Sequence, residues 1–325
     1  MAAQVTVGAR LHLGFTNLSL AHDRLYGGIG VALAEPRLSL RARPADEVRC
    51  PDPLVRGYAE RAVELLGLPG VAVEASELLP QHAGLGSGTA TALATLVAAA
   101  RAHDRAVDPR ALAPALGRGG RSGVGVAAFE DGGAVVDAGH PTALFTDAPP
   151  ARGEWTVPPV AARHPIPDDW RFLLVVPDAG EGRSGEAEDQ GMRAAVERAD
   201  AATADRIAGV LARRLLPALT EGAVERFGGA AAEIGRLNGS WYADEQGGLY
   251  RPPVGALVAS LAEEPAVAGA GQSSWGPTAY GVTDADRAEA ARAAGERALS
   301  AAGTTGRVEV VAGRNHGARV EREKS

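Results

Sequence analysis

The chain has 325 residues, 46% hydrophobic and 22% charged, the balance of a globular protein with room for two lobes around a large core. A net charge of −7 argues against a nucleic-acid surface, no apolar run reaches the roughly 18 residues that span a bilayer, and the N-terminus lacks the blocks of a secretion signal. The single cysteine, Cys50, excludes an internal disulfide framework and fits a reducing cytoplasm; all but Lys324 of the 33 basic residues are arginines, which excludes chemistry built on a fixed lysine.

Residues 4–16 alternate apolar and polar positions and predict a strand. It buries Val5, Val7, Leu11 and Leu13 and sets Arg10 and His12 on one polar face, either as site residues or as a satisfied edge pair. A polar turn through His22 and Asp23 runs by Gly27, Gly28 and Gly30 into a second strand, and residues 37–49 predict a third. Residues 54–67 predict an amphipathic helix with Leu54, Tyr58, Ala62, Leu65 and Leu66 on one face, and 71–75 a short strand.

That strand enters Pro80-Gln-His-Ala-Gly-Leu-Gly-Ser-Gly-Thr-Ala90, followed by an alanine-rich helix to about His103. Glycines at alternate positions let the backbone turn tightly, and a loop opening a helix presents unpaired N–H groups and the positive end of the helix dipole. Such a loop is either a plain turn or an anion site, phosphate being the usual anion. The candidate phosphate-binding residues are Gly84, Leu85, Gly86, Ser87, Gly88 and Thr89. It is not a Walker A loop, which needs Gly-Lys-Ser/Thr where this chain has Gly88-Thr89-Ala90, and the spacing is not that of a dinucleotide fingerprint.

Asp108 and Pro109 then start another helix, and Gly117–Gly125 form a second glycine cluster. It carries Arg118, Arg121 and Ser122, which suit a phosphate or a carboxylate. Residues 129–140 predict a hairpin turning at Asp131-Gly-Gly, and the proline- and charge-rich stretch 147–169 predicts a lobe boundary. Beyond it come a buried strand from Trp170, a polar loop at 180–189, helices over 187–235 and an aromatic connection at 238–253. A helix at 254–263, a third glycine loop over 269–281, a strand, a helix near 284–302, a strand at 308–311 and a frayed end complete the chain.

Seven scattered histidines without His-Glu-x-x-His, and a lone cysteine, give no zinc pattern; there is no Gly-x-Ser-x-Gly elbow. What remains is three glycine loops with arginines, and acidic residues available to magnesium: the equipment for a phosphorylated substrate.

The spacing Pro80-x-x-x-Gly-Leu-Gly-Ser87, with Gly269-Ala-Gly-x-Ser-Ser274 downstream, resembles the superfamily of galactose, homoserine, mevalonate and phosphomevalonate (GHMP) kinases. The resemblance spans most of the chain and implies a two-lobed α+β fold. Its expected parts are a ribosomal protein S5 domain 2-like lobe over 1–160, a ferredoxin-like lobe over 161–317 and a frayed tail over 318–325. Two departures stand out. The second serine of the kinases' Gly-Leu-Gly-Ser-Ser, often near magnesium, is Gly88, and their catalytic aspartate in Ser-Gly-x-Asp corresponds to Gly125. No carboxylate is then left there to orient an attacking hydroxyl.

Arg10-Leu-His-Leu-Gly, Gly27-Gly-Ile-Gly, Gly84-Leu-Gly-Ser-Gly-Thr and Arg118-Gly-Gly-Arg-Ser-Gly-Val-Gly resemble, more narrowly, the β-ribofuranosylaminobenzene 5′-phosphate synthase family, and Gln272-Ser-Ser-Trp-Gly-Pro-Thr is the most specific match. This resemblance implies a decarboxylating phosphoribosyltransferase. Its substrates would be phosphoribosyl pyrophosphate and 4-aminobenzoate or 4-hydroxybenzoate, its products would include pyrophosphate and CO2, and its place would be tetrahydromethanopterin synthesis. Implied catalytic residues are Arg10, His12, Arg118, Arg121 and Ser122, with Gln272, Ser273, Ser274 and Trp275 as substrate contacts and Asp23 as ligand to Mg2+. Whether Arg118, Arg121 and Ser122 take the 5-phosphate or the benzoate carboxylate stays open, as does a homodimer. The alternatives are an ATP-dependent small-molecule kinase without the usual aspartate and a non-catalytic nucleotide-binding protein.

Overall fold

Strands β1 (Ala2–Asn17) and β2 (Arg24–Pro44) pair antiparallel over most of their length and carry the first of two sheets. In the computed structural model, residues 2–145, 150–179 and 186–323 are described. Val5, Val7, Leu11 and Leu13 are buried, as the alternation of β1 predicts. β2 is one strand where the sequence predicts two. Pro36 has no N–H for a ladder and reads as a break, but a register shift between Gly8 and Arg10 of β1 absorbs the irregular stretch and pairing resumes beyond it.

Helix α1 (Pro53–Leu66), strand β3 (Val71–Glu77) and helix α2 (Ser87–Ala102) follow. α2 is buried nearly all round, and its Ala and Thr side chains let it lie close against β1 and β2. After the short α3 (Pro109–Leu112), residues 124–130 form helix α4 (Val124–Glu130) and not the first arm of a hairpin. Val124, Val126 and Ala127 are buried by helical spacing, which a mostly apolar run of small residues does not distinguish from a strand. Strands β4 (Ala134–Asp137), β5 (His140–Pro141) and β6 (Val160–His164) extend this sheet, in the order β1-β2-β4-β6 with β3 and β5 also on β2.

The second sheet, order β10-β7-β9-β8, is antiparallel. It comprises β7 (Trp170–Pro177), β8 (Gly269–Gln272), β9 (Ala279–Asp284) and β10 (Gly306–Ala312). The third glycine loop is thus the β8–β9 hairpin. Alternate residues of β7 enter two cores: Trp170, Phe172 and Leu174 join the one shared with the first lobe, and Leu173 and Val175 pack with the apolar faces of α9 (Val254–Ala262) and α10 (Ala288–Ala301). Helices α5 (Glu186–Arg198), α6 (Ala201–Val210), α7 (Leu216–Thr220) and α8 (Val224–Gln246) fill the intervening chain. α8 continues through Trp241 and Tyr242, read in the sequence as part of a connection, because Asn238 and Gly239 are buried within the helix and do not break it; Gly247 ends it at φ 82°.

The predicted frayed tail is also corrected. Arg319–Glu323 form strand β11, pairing with Ala2–Thr6 of β1. Val320 is its sole apolar residue, so the strand is held by backbone bonds to the sheet edge and leaves no hydrophobic trace. One core runs from Val5 in β1 to Phe227 in α8 and Tyr280 in β9, across both lobes. Among the described residues no helix is long and apolar enough to cross a membrane. Residues 180–185 of the predicted polar loop and 147–149 of the predicted boundary lie outside the described residues.

Candidate active site

The glycine loop is braced from two sides. Gly86, at φ 81° and ψ 16°, caps α2 without a side-chain bond, leaving the first N–H groups of the helix facing outward. Beneath it, Arg10 donates from its backbone N to Leu85 O (3.1 Å) and from Nη1 to Gly84 O (2.6 Å). From the other lobe, Ser273 Oγ donates to Gly84 O (2.7 Å) and accepts from His12 N (3.1 Å), while Thr278 Oγ1 donates to Ala83 O (2.6 Å). Gln272 donates to Ser274 O (2.9 Å) and accepts from Arg251 N (2.8 Å), and Ser274 N donates to His12 O (3.1 Å). Trp275 is buried with its ring 4.7 Å from that of Tyr242. The structure therefore brings Gln272–Trp275 to the loop, with these polar groups engaged in holding it.

Arg118 stands over the start of α2. A Cβ built on Gly88 would lie 3.0 Å from both terminal nitrogens of Arg118, whose guanidinium also stacks on Tyr58 at 5.4 Å. Its backbone is fixed by bonds from Arg118 N to Ala113 O and from Trp155 Nε1 to Arg118 O, each 2.9 Å. Ser87, Gly88 and Thr89 are half-buried at this face, and Thr89 touches Gly125. A fixed cation beside the N–H end of a helix is an anion cradle. Arg121, three residues on, pairs with Asp189 of α5 at 2.5 Å, spanning the cleft between the lobes.

Asp137 is the residue that sequence reasoning missed. It is 1% exposed, and it accepts from Ser122 Oγ (3.0 Å), Gly123 N (2.7 Å), Gly139 N (2.9 Å) and Gly28 N. Burial pushes its pKa up, and the bonds from Gly139, Gly123, Gly28 and Ser122 pull against that shift. A carboxylate so fully engaged is a tie between loops rather than a base. It also takes up the Ser122 hydroxyl, which in turn accepts from Val124 N (3.2 Å) at the start of α4. The available signal was an aspartate inside the apolar run Ala134-Val-Val-Asp137.

A row of four rings runs through β1, β2 and β5. His12 and Phe15 lie 4.8 Å apart between centroids, Phe15 and Tyr26 5.7 Å, and Tyr26 and His140 6.2 Å. A register shift between His12 and Gly14 brings Phe15 round to His12, which strict alternation would not do. Burial, and secondarily Arg10, lowers the His12 pKa to about 3, so the imidazole is neutral. Its Nε2 is buried without a hydrogen-bond partner, as is Nε2 of His140, and each such atom costs on the order of 1–3 kcal/mol.

The folding pattern and the chain's relatives agree. Residues 54–133 match the model for the GHMP kinases N terminal domain and 215–301 that for GHMP kinases C terminal. A protein of Methanothermobacter thermautotrophicus named beta-ribofuranosylphenol 5′-phosphate synthase is 32% identical over 331 residues, covering 97% of each chain. The chain belongs to that synthase family. A second beta-ribofuranosylphenol 5′-phosphate synthase, of Archaeoglobus fulgidus, is 31% identical over 86% of this chain and 87% of its own length. Among solved structures, homoserine kinase from Cytophaga hutchinsonii superposes with a TM-score of 0.64 at 17% identity over 98% of this chain and 97% of that one. Mevalonate pyrophosphate decarboxylase from Streptococcus pyogenes gives 0.67 at 12% identity over 97% of each. Those two share the fold of the synthase family, a GHMP-kinase fold of mixed helix and sheet.

Within this synthase-family chain, Asp23 is exposed, and its backbone O accepts from Thr142 N. Among the described residues no group of three or more His, Cys, Asp or Glu is arranged to hold a metal. The charged group placed nearest the start of the glycine-loop helix by the described geometry is the Arg118 guanidinium.

Proposed function

We propose that the chain is a decarboxylating phosphoribosyltransferase, a pentosyltransferase that joins phosphoribosyl pyrophosphate to a para-substituted benzoate. The observation carrying this reading is an arginine-topped anion cradle whose nearby buried carboxylate, Asp137, is already engaged by four donors. In the reaction, the ribose C1–O bond breaks and its electron pair leaves with pyrophosphate. The ring carbon bearing the carboxylate bonds to C1, the bond to the carboxylate then breaks, and its electrons restore the aromatic ring as CO2 departs. No proton is abstracted, so no general base is required; a site for the developing anion is. The 84–89 loop and Arg118 suit that anion. Kinase chemistry gains from a carboxylate that orients the attacking hydroxyl, and Ser122–Gly125 offers none.

The relatives' name specifies a phenol, which favours 4-hydroxybenzoate over 4-aminobenzoate as acceptor and agrees with a role in tetrahydromethanopterin-type cofactor synthesis. Magnesium, with Asp23 as a single carboxylate ligand, would arrive with the pyrophosphate and keep most of its waters. Purified protein given phosphoribosyl pyrophosphate, magnesium and either benzoate should release CO2 and pyrophosphate in equal amounts. Release from neither acceptor would sink the reading.

A further inference from the structure

Aromatic side chains are scarce in this chain, 4% of residues, yet Phe15 and Tyr26 stand together between His12 and His140. Phe15 and Tyr26 are half-buried, while the two histidines are 5% and 6% exposed, each with a buried Nε2 that has no hydrogen-bond partner among the described residues. Tyr26 sits at φ 70°, a conformation that a bulky residue adopts only when its surroundings impose it, and such strain gathers at ligand sites. His12 and Phe15 also border a partly open cavity of about 40 Å³, whose walls include Asn238, Tyr242 and Trp275. That volume holds a polar substituent and not a six-membered ring. At the other end of the row, the charges of Arg121, Asp189 and Arg193 all reach the Tyr26 phenol, Arg121 being paired with Asp189 and Arg193 with Glu197.

We propose that the aromatic acceptor lies against Phe15 and Tyr26, with its para substituent in the cavity at His12 Nε2 and its carboxylate toward Arg121 and Arg193. This subsite rests on the transferase reading above and specifies which end of the acceptor faces the ribose. A para hydroxyl or amino group donates to Nε2 when the imidazole proton is on Nδ1. That bond gains strength as the substituent feeds electrons into the ring during attack on C1, so it favours the transition state over the ground state. A carboxylate held at Arg121 puts the carbon that carries it at the loop that also carries Arg118. His12 is here a specificity-determining contact, and Tyr26 a stacking surface.

The test is calorimetric binding of 4-hydroxybenzoate and of benzoate to the full chain, beside CO2 release from carboxyl-labelled 4-hydroxybenzoate. Wild type should bind 4-hydroxybenzoate about tenfold more tightly than benzoate, the order expected for one buried hydrogen bond. His12→Phe should erase that preference, and Tyr26→Leu should weaken both ligands about tenfold while phosphoribosyl pyrophosphate affinity stays within about twofold. Phe15→Leu is read in place of any variant that fails to fold. Equal binding of the two acids by wild type, no binding of either, or unchanged binding in His12→Phe and Tyr26→Leu overturns the subsite. Binding that follows the expected pattern without CO2 release supports the subsite and removes the transferase reading instead.

Discussion

Gly88 and Arg118 are complementary: the missing side chain of one is the space occupied by the guanidinium of the other. Replacing Gly88 by serine fills that space with a Cβ and a hydroxyl, which push the end of the Arg118 side chain off its position without unfolding the helix. The expected result is a KM for phosphoribosyl pyrophosphate raised about tenfold with the melting temperature unchanged. Arg118→Ala removes the cation and should cost about a hundredfold or more in kcat/KM, a loss comparable to deleting one charge-stabilising donor. Steady-state kinetics with circular-dichroism melts check both, and wild-type kinetics in Arg118→Ala would dismiss the cradle.

Gly86 fails differently. Valine there must adopt φ 81°, at a cost of about 1–2 kcal/mol, and its Cβ would press on Arg10 Cγ at 2.9 Å. Since Arg10 holds Leu85 O and Gly84 O, Gly86→Val should displace the whole loop. Affinity for phosphoribosyl pyrophosphate measured by calorimetry should vanish with only a modest drop in stability; unaltered affinity would make the loop a plain turn.

Asp137→Ala should be a stability variant. Removing the carboxylate strands Ser122 Oγ and three buried backbone N–H groups and should lower unfolding free energy by about 3 kcal/mol in urea titrations. Asp137→Asn should fall between the variant and wild type. If Asp137→Asn folds with full stability but has no activity, the residue has a chemical role and is not merely a tie.

His12 makes stability depend on pH. Its imidazole titrates near 6.5 when unfolded and near 3 in the fold, so between these values the unfolded chain binds more protons. Its contribution is complete above pH 6.5 and is lost as pH falls toward 3: about 2 kcal/mol by pH 5 and 4–5 kcal/mol in all. Urea unfolding of wild type and His12→Gln at pH 7.5 and 5 measures the difference. Equal losses in the two proteins would mean that His12 is not held neutral.

Much of this was legible in the sequence. The glycine loop, the Arg10–His12 pair, the second glycine cluster and the hairpin beginning at Gln272 are local patterns, and the fold assembles them in one place. Asp137 was not legible, since its significance lies in donors from Gly28, Ser122, Gly123 and Gly139, on three separate segments. Phe15 was hidden by a register shift that defeats alternation, and Tyr26 and His140 gain meaning only beside it. Strand β11 was invisible because backbone pairing, not side-chain pattern, makes it.

The apolar core that passes unbroken from β1 to α8 and β9 has a thermodynamic corollary. Both lobes contribute to this one interior, and the second core behind β7 is joined to it through the same strand, so heating should give one endotherm in scanning calorimetry, with van't Hoff and calorimetric enthalpies equal.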